Sequence, residues 1–141
     1  MLDLDRERAL IELLGRASSG RLLRSAHDCS DGGLAVTLAE CAFDSGGIGC
    51  TVNVSPAASR FDATLFGESA SRVIVSAKPQ DAATLLQLAA ERGVPAQIVG
   101  ATGGSRIRIT VGGAPAIDCD VEEAHRAWAT ALERFFAGRA A

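Results

Sequence analysis

The 141-residue sequence predicts a mixed α/β (α+β) fold, in which helices pack against a partly antiparallel sheet. Two observations support this fold class. Segments whose apolar residues recur at helical spacing alternate with short segments of alternating or β-branched residues. Turns rich in glycine, serine or proline separate these segments. The length fits a single domain over residues 1–141 and is sufficient to bury a hydrophobic core.

The N-terminal half alternates between predicted helices and strands. Leucine and alanine at helical spacing predict the helices, and alternating or β-branched residues predict the strands. Ser30 or Asp31 is expected to cap the second helix, because a short side-chain oxygen there accepts an orphan N–H. The helices are predicted over residues 4–17, between Asp31 and the turn at 44–47, and weakly over 56–66; the strands are predicted over 22–26, 48–54 and 72–77.

The C-terminal half contains a well-marked helix over residues 79–92, with proline in its first turn and glycine after its end. Strands over 96–100 and 106–111 are expected to form a hairpin through the turn at 102–104, and residues 116–119 add a short strand. Asp120 and Glu123 have the spacing of a capping box for the last helix. The predicted apolar face of that helix comprises Val121, Ala124, Trp128, Ala131, Leu132 and Phe135.

Composition narrows the classes of function. A net charge of −3 argues against a nucleic-acid partner, which normally requires a basic patch. The apolar runs are too short to cross a bilayer and no signal peptide is recognisable, so no membrane partner is expected. The four cysteines lack the paired spacing of a zinc site. We therefore expect reduced, mostly buried thiols and a cytoplasmic protein.

One polar stretch, residues 25–34, follows a predicted strand and opens a predicted helix. The free N–H groups and dipole of a helix N-terminus favour an anion, and glycine lets a phosphate approach the backbone. Two interpretations remain open from the residues alone: a phosphate- or nucleotide-binding turn, or merely a capped helix start. The candidate residues in this stretch are His27, Asp28, Ser30, Asp31, Gly32 and Gly33.

A second polar stretch, residues 67–72, lies where a turn enters a strand. Arg72 could fork onto a phosphate or a carboxylate, and Glu68 could accept hydroxyls or pair with an arginine. Ser69 is the third candidate of this stretch. The alternative is an internal ion pair between Glu68 and Arg72. Arg106 and Arg108 alternate with isoleucines, which indicates a solvated sheet face and no binding site.

Three catalytic interpretations fit the residues poorly. A metal-dependent phosphohydrolase built on His27 and Asp28 would need further histidines, and the only other one, His125, falls on the last predicted helix as a surface or boundary residue. Ser30 stands in no nucleophile-elbow context. Cys29 has only polar neighbours in its favour as a nucleophile, and a buried structural thiol is the better interpretation.

Several segments, in this order, resemble the C-terminal domain of phosphoribosylformylglycinamidine synthase, synthetase subunit. The most specific is Ser25-Ala26-His27-Asp28-Cys29-Ser30-Asp31-Gly32-Gly33-Leu34-Ala35 with Leu38-Ala39-Glu40; the others are residues 66–73, 93–95 and 98–100. The superfamily also includes aminoimidazole ribonucleotide synthetase, selenophosphate synthetase and thiamine-monophosphate kinase. The resemblance therefore implies a fold like the C-terminal domain of aminoimidazole ribonucleotide synthetase.

The resemblance also implies a reaction, the fourth step of purine biosynthesis. ATP activates the amide oxygen of formylglycinamide ribonucleotide, and ammonia from a glutaminase subunit displaces phosphate to give the amidine. ATP and Mg²⁺ are the implied cofactors of the full enzyme, and neither is firmly expected on this domain alone. The implied partners are the remaining domains of the enzyme, the glutaminase subunit, a small accessory subunit and the nucleotide substrate.

Only the last C-terminal domain of the tandem family protein is matched, so the family's catalytic histidine and metal-binding acids have no counterpart here. By the family's internal pseudo-symmetry, Glu68, Ser69 and Arg72 are implied to lie at the edge of a cleft, with no catalytic role assigned. The chain is then expected to be inactive alone and to expose a former interface. The alternatives are a non-catalytic scaffold or interaction module, or the equivalent domain of a sister enzyme.

Overall fold

The computed structural model describes residues 3–57 and 60–137. The described chain forms two compact units, of which unit 1 comprises residues 3–37 and 65–99, and unit 2 comprises residues 38–57, 60–64 and 100–137. The elements in chain order are α1 Leu4–Ser19, β1 Leu23–Asp28, α2 Gly33–Asp44, β2 Cys50–Val54, α3 Phe61–Phe66, β3 Val73–Ala77, a 3₁₀ turn Pro79–Asp81, α4 Ala82–Glu91, β4 Gly100–Thr102, β5 Arg106–Val111, β6 Ala114–Asp120, α5 Val121–Ala129 and α6 Ala131–Ala137.

Unit 1 contains an antiparallel ribbon formed by β1 and β3. Its register places Asp28 opposite Val73 and His27 opposite Ile74, so the end of β1 meets the start of β3. The Asp3 side chain caps α1 by accepting the N–H groups of Asp5 and Arg6 at 3.1 Å each. The buried side chains of the unit are Leu10, Leu13, Ala17, Cys29, Leu34, Ala35, Thr37, Leu65 and Ala89.

Unit 2 contains a four-stranded mixed sheet in the order β4-β2-β5-β6. Alternate residues of β2 and β5 are buried, as the sequence alternation predicted. Arg106 and Arg108 face the exposed Asp118 carboxylate at 2.7 and 3.5 Å, which confirms the solvated face expected for both arginines. The buried side chains of the unit are Leu38, Ala42, Cys50, Val52, Val54, Thr64, Ile107, Ile109, Val111 and Val121.

The predicted class of mixed α/β fold is confirmed, but the predicted hairpin between residues 96–100 and 106–111 is wrong. β2 lies between β4 and β5, antiparallel to the first and parallel to the second. Two glycines without a Cβ permit this: a Cβ at Gly49 would lie 2.2 Å from the Arg106 carbonyl oxygen, and one at Gly100 would lie 2.1 Å from that of Thr51. β2 is therefore an interior strand of the sheet, with β4 and β5 as its neighbours.

The hairpin of this sheet instead joins β5 to β6 through Gly112 and Gly113. Both have positive φ, 58° and 85°, which two-residue hairpin turns of type I′ require at both central positions. The Asn53 side-chain oxygen accepts the Gly113 N–H at 3.0 Å, so β2 also supports the turn.

The last predicted helix is two helices, separated at Thr130. The Thr130 hydroxyl donates to the Arg126 carbonyl at 2.8 Å, a back-bond that competes with continued helix. The Asp120 cap is confirmed, since its carboxylate accepts the N–H groups of Glu122 and Glu123. Val121 is buried, but the other large residues of the predicted apolar face are exposed.

Two further expectations concern side chains and membranes. All four cysteines are free thiols: Cys29 and Cys50 are buried, and Cys41 and Cys119 are half-buried. Burial raises the pKa of the Cys50 thiol, so it stays protonated and unreactive. None of the helices in the described ranges is long and apolar enough to span a membrane.

Candidate functional site

The two polar stretches predicted from the sequence meet in unit 1. We call residues 27–33 the glycine turn and residues 67–72 the arginine turn. The β1–β3 pairing brings them together, and the Cys29 N–H extends it by donating to the Arg72 carbonyl at 2.9 Å. Every sequence-predicted candidate residue belongs to one of these two turns.

The glycine turn has a conformation that favours glycine at two consecutive positions. Gly32 and Gly33 have φ values of 74° and 70°, in the left-handed region. A Cβ on Gly33 would lie 2.7 Å from the carbonyl carbon of Phe66 and 3.0 Å from the carbonyl oxygen of Gly67. The arginine turn therefore packs directly on the backbone that starts α2.

The Glu68 side chain occupies the start of α2. Its Oε1 atom accepts the Gly32 N–H at 3.1 Å. Within the described ranges, neither Ser30 nor Asp31 accepts a backbone N–H of α2, so the predicted local cap is wrong. The Glu68 carboxylate instead binds the N–H of Gly32, the residue just before α2, and its negative charge suits the helix dipole.

Arg72 closes its own turn. Its Nη1 atom lies 3.3 Å from both the Gly67 carbonyl oxygen and the Ser69 hydroxyl, and its side chain is half-buried. The alternative of an ion pair between Glu68 and Arg72 is wrong for the described structure, because Glu68 turns to the glycine turn and Arg72 to the backbone. These two contacts hold the guanidinium group against its own turn.

Asp28 carries a stabilised negative charge at the end of β1. The Ser30 hydroxyl donates to its carboxylate, and this hydrogen bond is the main reason why the pKa of Asp28 lies below its usual range. The Nδ1 atom of His27 lies 2.8 Å from the Asp28 carbonyl oxygen and 3.6 Å from its carboxylate. The exposed carboxylate is therefore ionised at neutral pH.

Sequence reasoning missed three residues that hold the turns in place. The buried Thr37 hydroxyl lies 3.0 Å from the carbonyl oxygens of both Asp28 and Gly33, and so ties β1 to α2. Ser71 is a non-glycine residue with φ 61°, and its hydroxyl donates to the Glu7 carboxylate in α1. A buried threonine one turn into a helix is a weak sequence signal, and the Ser71–Glu7 contact has none.

The polar and charged groups of the paired turns are suited to binding a ligand. Asp28, Asp31 and Glu68 can accept hydroxyl groups, and Arg72 can hold an anion. In the parts of the chain that the structure describes, no three His, Cys, Asp or Glu side chains are grouped closely enough to hold a metal ion. The acids lie beside the glycine N–H groups, so a bare phosphate would meet negative charge there.

An open groove of about 890 Å³ also lies in unit 1, between α1 and α4. It is lined by Glu12, Gly15, Arg16, Ser19, Leu22, Thr84, Gln87, Leu88 and Glu91. None of the sequence-predicted site residues lies among them, so the groove is separate from the paired turns.

The fold defines the class of protein to which the chain is related. It is similar to two Thermotoga maritima structures, described as PurL complexed with ADP and as PurLQS, with TM-scores of 0.77 and 0.76. Sequence identity is 21% and 22%, and each similarity covers 86% of this chain and 22% of the other. The chain therefore has the fold of one domain of these much longer proteins.

The family follows from the sequence match. Residues 1–112 match the family described as AIR synthase related protein, C-terminal domain, and the chain belongs to that family. It is also 45% identical over 136 residues to phosphoribosylformylglycinamidine synthase subunit PurL of Anaeromyxobacter dehalogenans, covering 90% of this chain. The equivalent protein of Salinibacter ruber is 46% identical over 118 residues, covering 83% of this chain.

These matches confirm the resemblance stated from the sequence motifs. The resemblance covers only a small part of the relatives, because the chain spans 17% and 16% of the length of the two curated proteins.

Proposed function

We propose that this chain acts as the C-terminal domain of an ATP-dependent ligase that converts formylglycinamide ribonucleotide to formylglycinamidine ribonucleotide, and that it is inactive alone. The contact between Glu68 and Gly32 carries the proposal, because it joins the two family-like motifs into one surface. The similarity to PurL proteins over most of the chain supports the reaction class.

In this proposal the paired turns form one rim of a nucleotide or substrate cleft whose other wall belongs to the remaining domains. Asp28, Asp31 and Glu68 accept hydroxyls of a ribose-bearing ligand, and Arg72 with Ser69 contacts an anionic group. ATP supplies the phosphoryl group that activates the amide. The described residues offer no cluster of three metal-ligating side chains, and in this proposal the remaining domains supply most of the Mg²⁺ ligands.

The exposed apolar residues of α5 and α6 are proposed to contact the remaining domains. Leu132 is 73% exposed and Phe136 is 64% exposed, and large side chains of this kind are costly to leave in water. The relatives are about six times longer than this chain, so ample polypeptide exists to cover these residues. We also propose that the assembled enzyme has a glutaminase subunit and a small accessory subunit as partners, and that it acts in the cytoplasm.

The test is an assay of formylglycinamide ribonucleotide turnover by the chain alone and with the remaining domains supplied. Turnover is expected only in the second case, and turnover by the chain alone would refute inactivity. Calorimetry of the assembled protein with ADP and Mg²⁺ tests the rim. Asp31→Ala and Arg72→Ala should weaken binding, while the matched control Arg108→Ala, on an exposed sheet face, should not.

A second candidate function is a scaffold module without a ligand. The observation that favours it is internal satisfaction: Glu68 already binds Gly32, and Arg72 already binds its own turn. Absence of nucleotide and substrate binding at these turns in the assembled protein, with normal activity of the Arg72→Ala variant, would establish this candidate and exclude the cleft.

A further inference from the structure

Ser71 is the strained residue of the paired turns. Its φ of 61° lies in the left-handed region, which a residue with a Cβ occupies at a cost in free energy. Two groups of the same turn contact the glycine turn, the Glu68 carboxylate and the Arg72 carbonyl oxygen, and both depend on the path of the backbone at Ser71. The conformation of Ser71 therefore fixes where both of them stand.

One side chain outside the turns compensates this strain. The Ser71 hydroxyl donates to the Glu7 carboxylate, a charge-assisted hydrogen bond between residues 64 positions apart. Glu7 lies in α1, which is anchored by the buried Leu10 and Leu13. Both partners are half-buried, so water competes weakly for the contact.

The geometry points to Glu7 as a positioning residue of the candidate site. Its carboxylate holds Ser71 in the left-handed conformation, and Ser71 sets the Arg72 carbonyl against the Cys29 N–H and the Glu68 carboxylate against the Gly32 N–H. Glu7 touches no ligand and acts through Ser71. This inference rests on the proposed function for its relevance to binding, but its structural step can be tested without any ligand.

The test is amide hydrogen exchange, measured residue by residue by NMR on the 141-residue chain. Glu7→Ala should speed exchange of the Gly32 and Cys29 amides by about tenfold, as expected for loss of one charge-assisted hydrogen bond. The Ile109 amide, in the sheet of unit 2, should be unchanged. Glu7→Gln keeps an oxygen that can accept the Ser71 hydroxyl, and should stay within about threefold of the parent chain.

A rescue variant separates positioning from general stabilisation. Glycine adopts positive φ without a tether, so Ser71→Gly in the Glu7→Ala background should restore slow exchange at Gly32 and Cys29. Uniform acceleration of all unit 1 amides by Glu7→Ala, no acceleration at these two amides, or failure of the rescue would each overturn the inference. If Glu7→Ala does not fold, the exchange rates of the Gly32 and Cys29 amides are compared between Ser71→Gly and the double variant. Glycine at position 71 needs no tether, so loss of Glu7 should not change these rates, and a difference between the two variants would overturn the inference.

Binding of ADP with Mg²⁺ to the assembled protein provides the second measurement. Glu7→Ala should weaken the affinity by about tenfold and the double variant should recover it, in parallel with the exchange rates. Normal affinity in Glu7→Ala beside accelerated exchange would overturn the role in binding. If the parent protein binds no nucleotide, the proposed function fails at this site, and the exchange data alone decide whether Glu7 positions the turn.

Discussion

Glu68 accepts a hydrogen bond from the backbone N–H of Gly32 at 3.1 Å, although the two residues lie 36 positions apart. The contact supplies the negative charge that the start of α2 lacks in its own first turn. It also makes the arginine turn part of the same surface as the glycine turn. The stability of this surface should therefore respond to single changes on either side.

Removal of the Glu68 carboxylate is the direct test of this contact. Glu68→Ala should lower the free energy of unfolding by about 1 kcal/mol, the usual net contribution of one hydrogen bond. Glu68→Gln keeps an acceptor oxygen and should lose less. Urea titration monitored by circular dichroism measures both. Ser69→Ala removes only the 3.3 Å contact with Arg72 and is the control within the turn, so an equal loss in that variant would contradict a special role for Glu68.

The packing of the two turns can be probed at Gly33. Gly33→Ala should cost about 2–4 kcal/mol, because the new Cβ meets the Phe66 backbone and the residue keeps positive φ. Gly93→Ala is the matched control in unit 1: its φ is 65°, but nothing lies within 4 Å of its Cβ position. It should cost only about 1 kcal/mol. Equal costs in the two variants would show that the close approach at Gly33 is absent.

The elements of this fold could be predicted from local patterns, but the pairing of its strands could not. The alternation in β2 and the proline and glycine around α4 gave correct elements because the signals are contained within single segments. The insertion of β2 between β4 and β5 depends on contacts of about 50 residues' separation, which periodicity does not report. The turn at 102–104 had the composition of a hairpin without being one.

The site shows the same division. The candidate residues of both turns were visible as polar, glycine-bearing segments, and the resemblance grouped them at one cleft. Their actual partners were not visible: Glu68 binds Gly32 in place of Arg72, and Ser71 binds Glu7 in another helix. Side chains choose partners according to the tertiary approach of the backbone, and a single sequence carries no measure of that approach.

Asp28 should make the free energy of unfolding depend on pH in the acid range. Its pKa lies below the usual range chiefly because the Ser30 hydroxyl donates to its carboxylate. The folded state therefore holds a proton less tightly than the unfolded state, so the stabilisation is complete above the ordinary aspartate range and is lost as pH falls through the lowered value. At neutral pH the carboxylate contributes fully.

NMR titration of the Asp28 carboxyl carbon checks this expectation. Ser30→Ala should move the pKa of Asp28 upward, toward the value of an unperturbed aspartate. Asp62 serves as the internal control, because the pKa of Asp62 is lowered mainly by Arg60 and should not respond. An unchanged pKa of Asp28 in Ser30→Ala would assign the shift to another cause.

The apolar surface of α5 and α6 separates residues needed for folding from residues needed for assembly. Leu132→Ser with Phe136→Ser should change the free energy of unfolding by only about 1 kcal/mol in total, since both side chains are largely exposed. Val121→Ser, at the buried start of α5, should cost about 2–3 kcal/mol. Thermal unfolding distinguishes these outcomes.

The same double variant, Leu132→Ser with Phe136→Ser, tests assembly. With the remaining domains supplied, it should fail to assemble although it folds. Assembly at the parental affinity would show that this surface is not the interface, because loss of two large apolar side chains from a buried contact weakens association strongly.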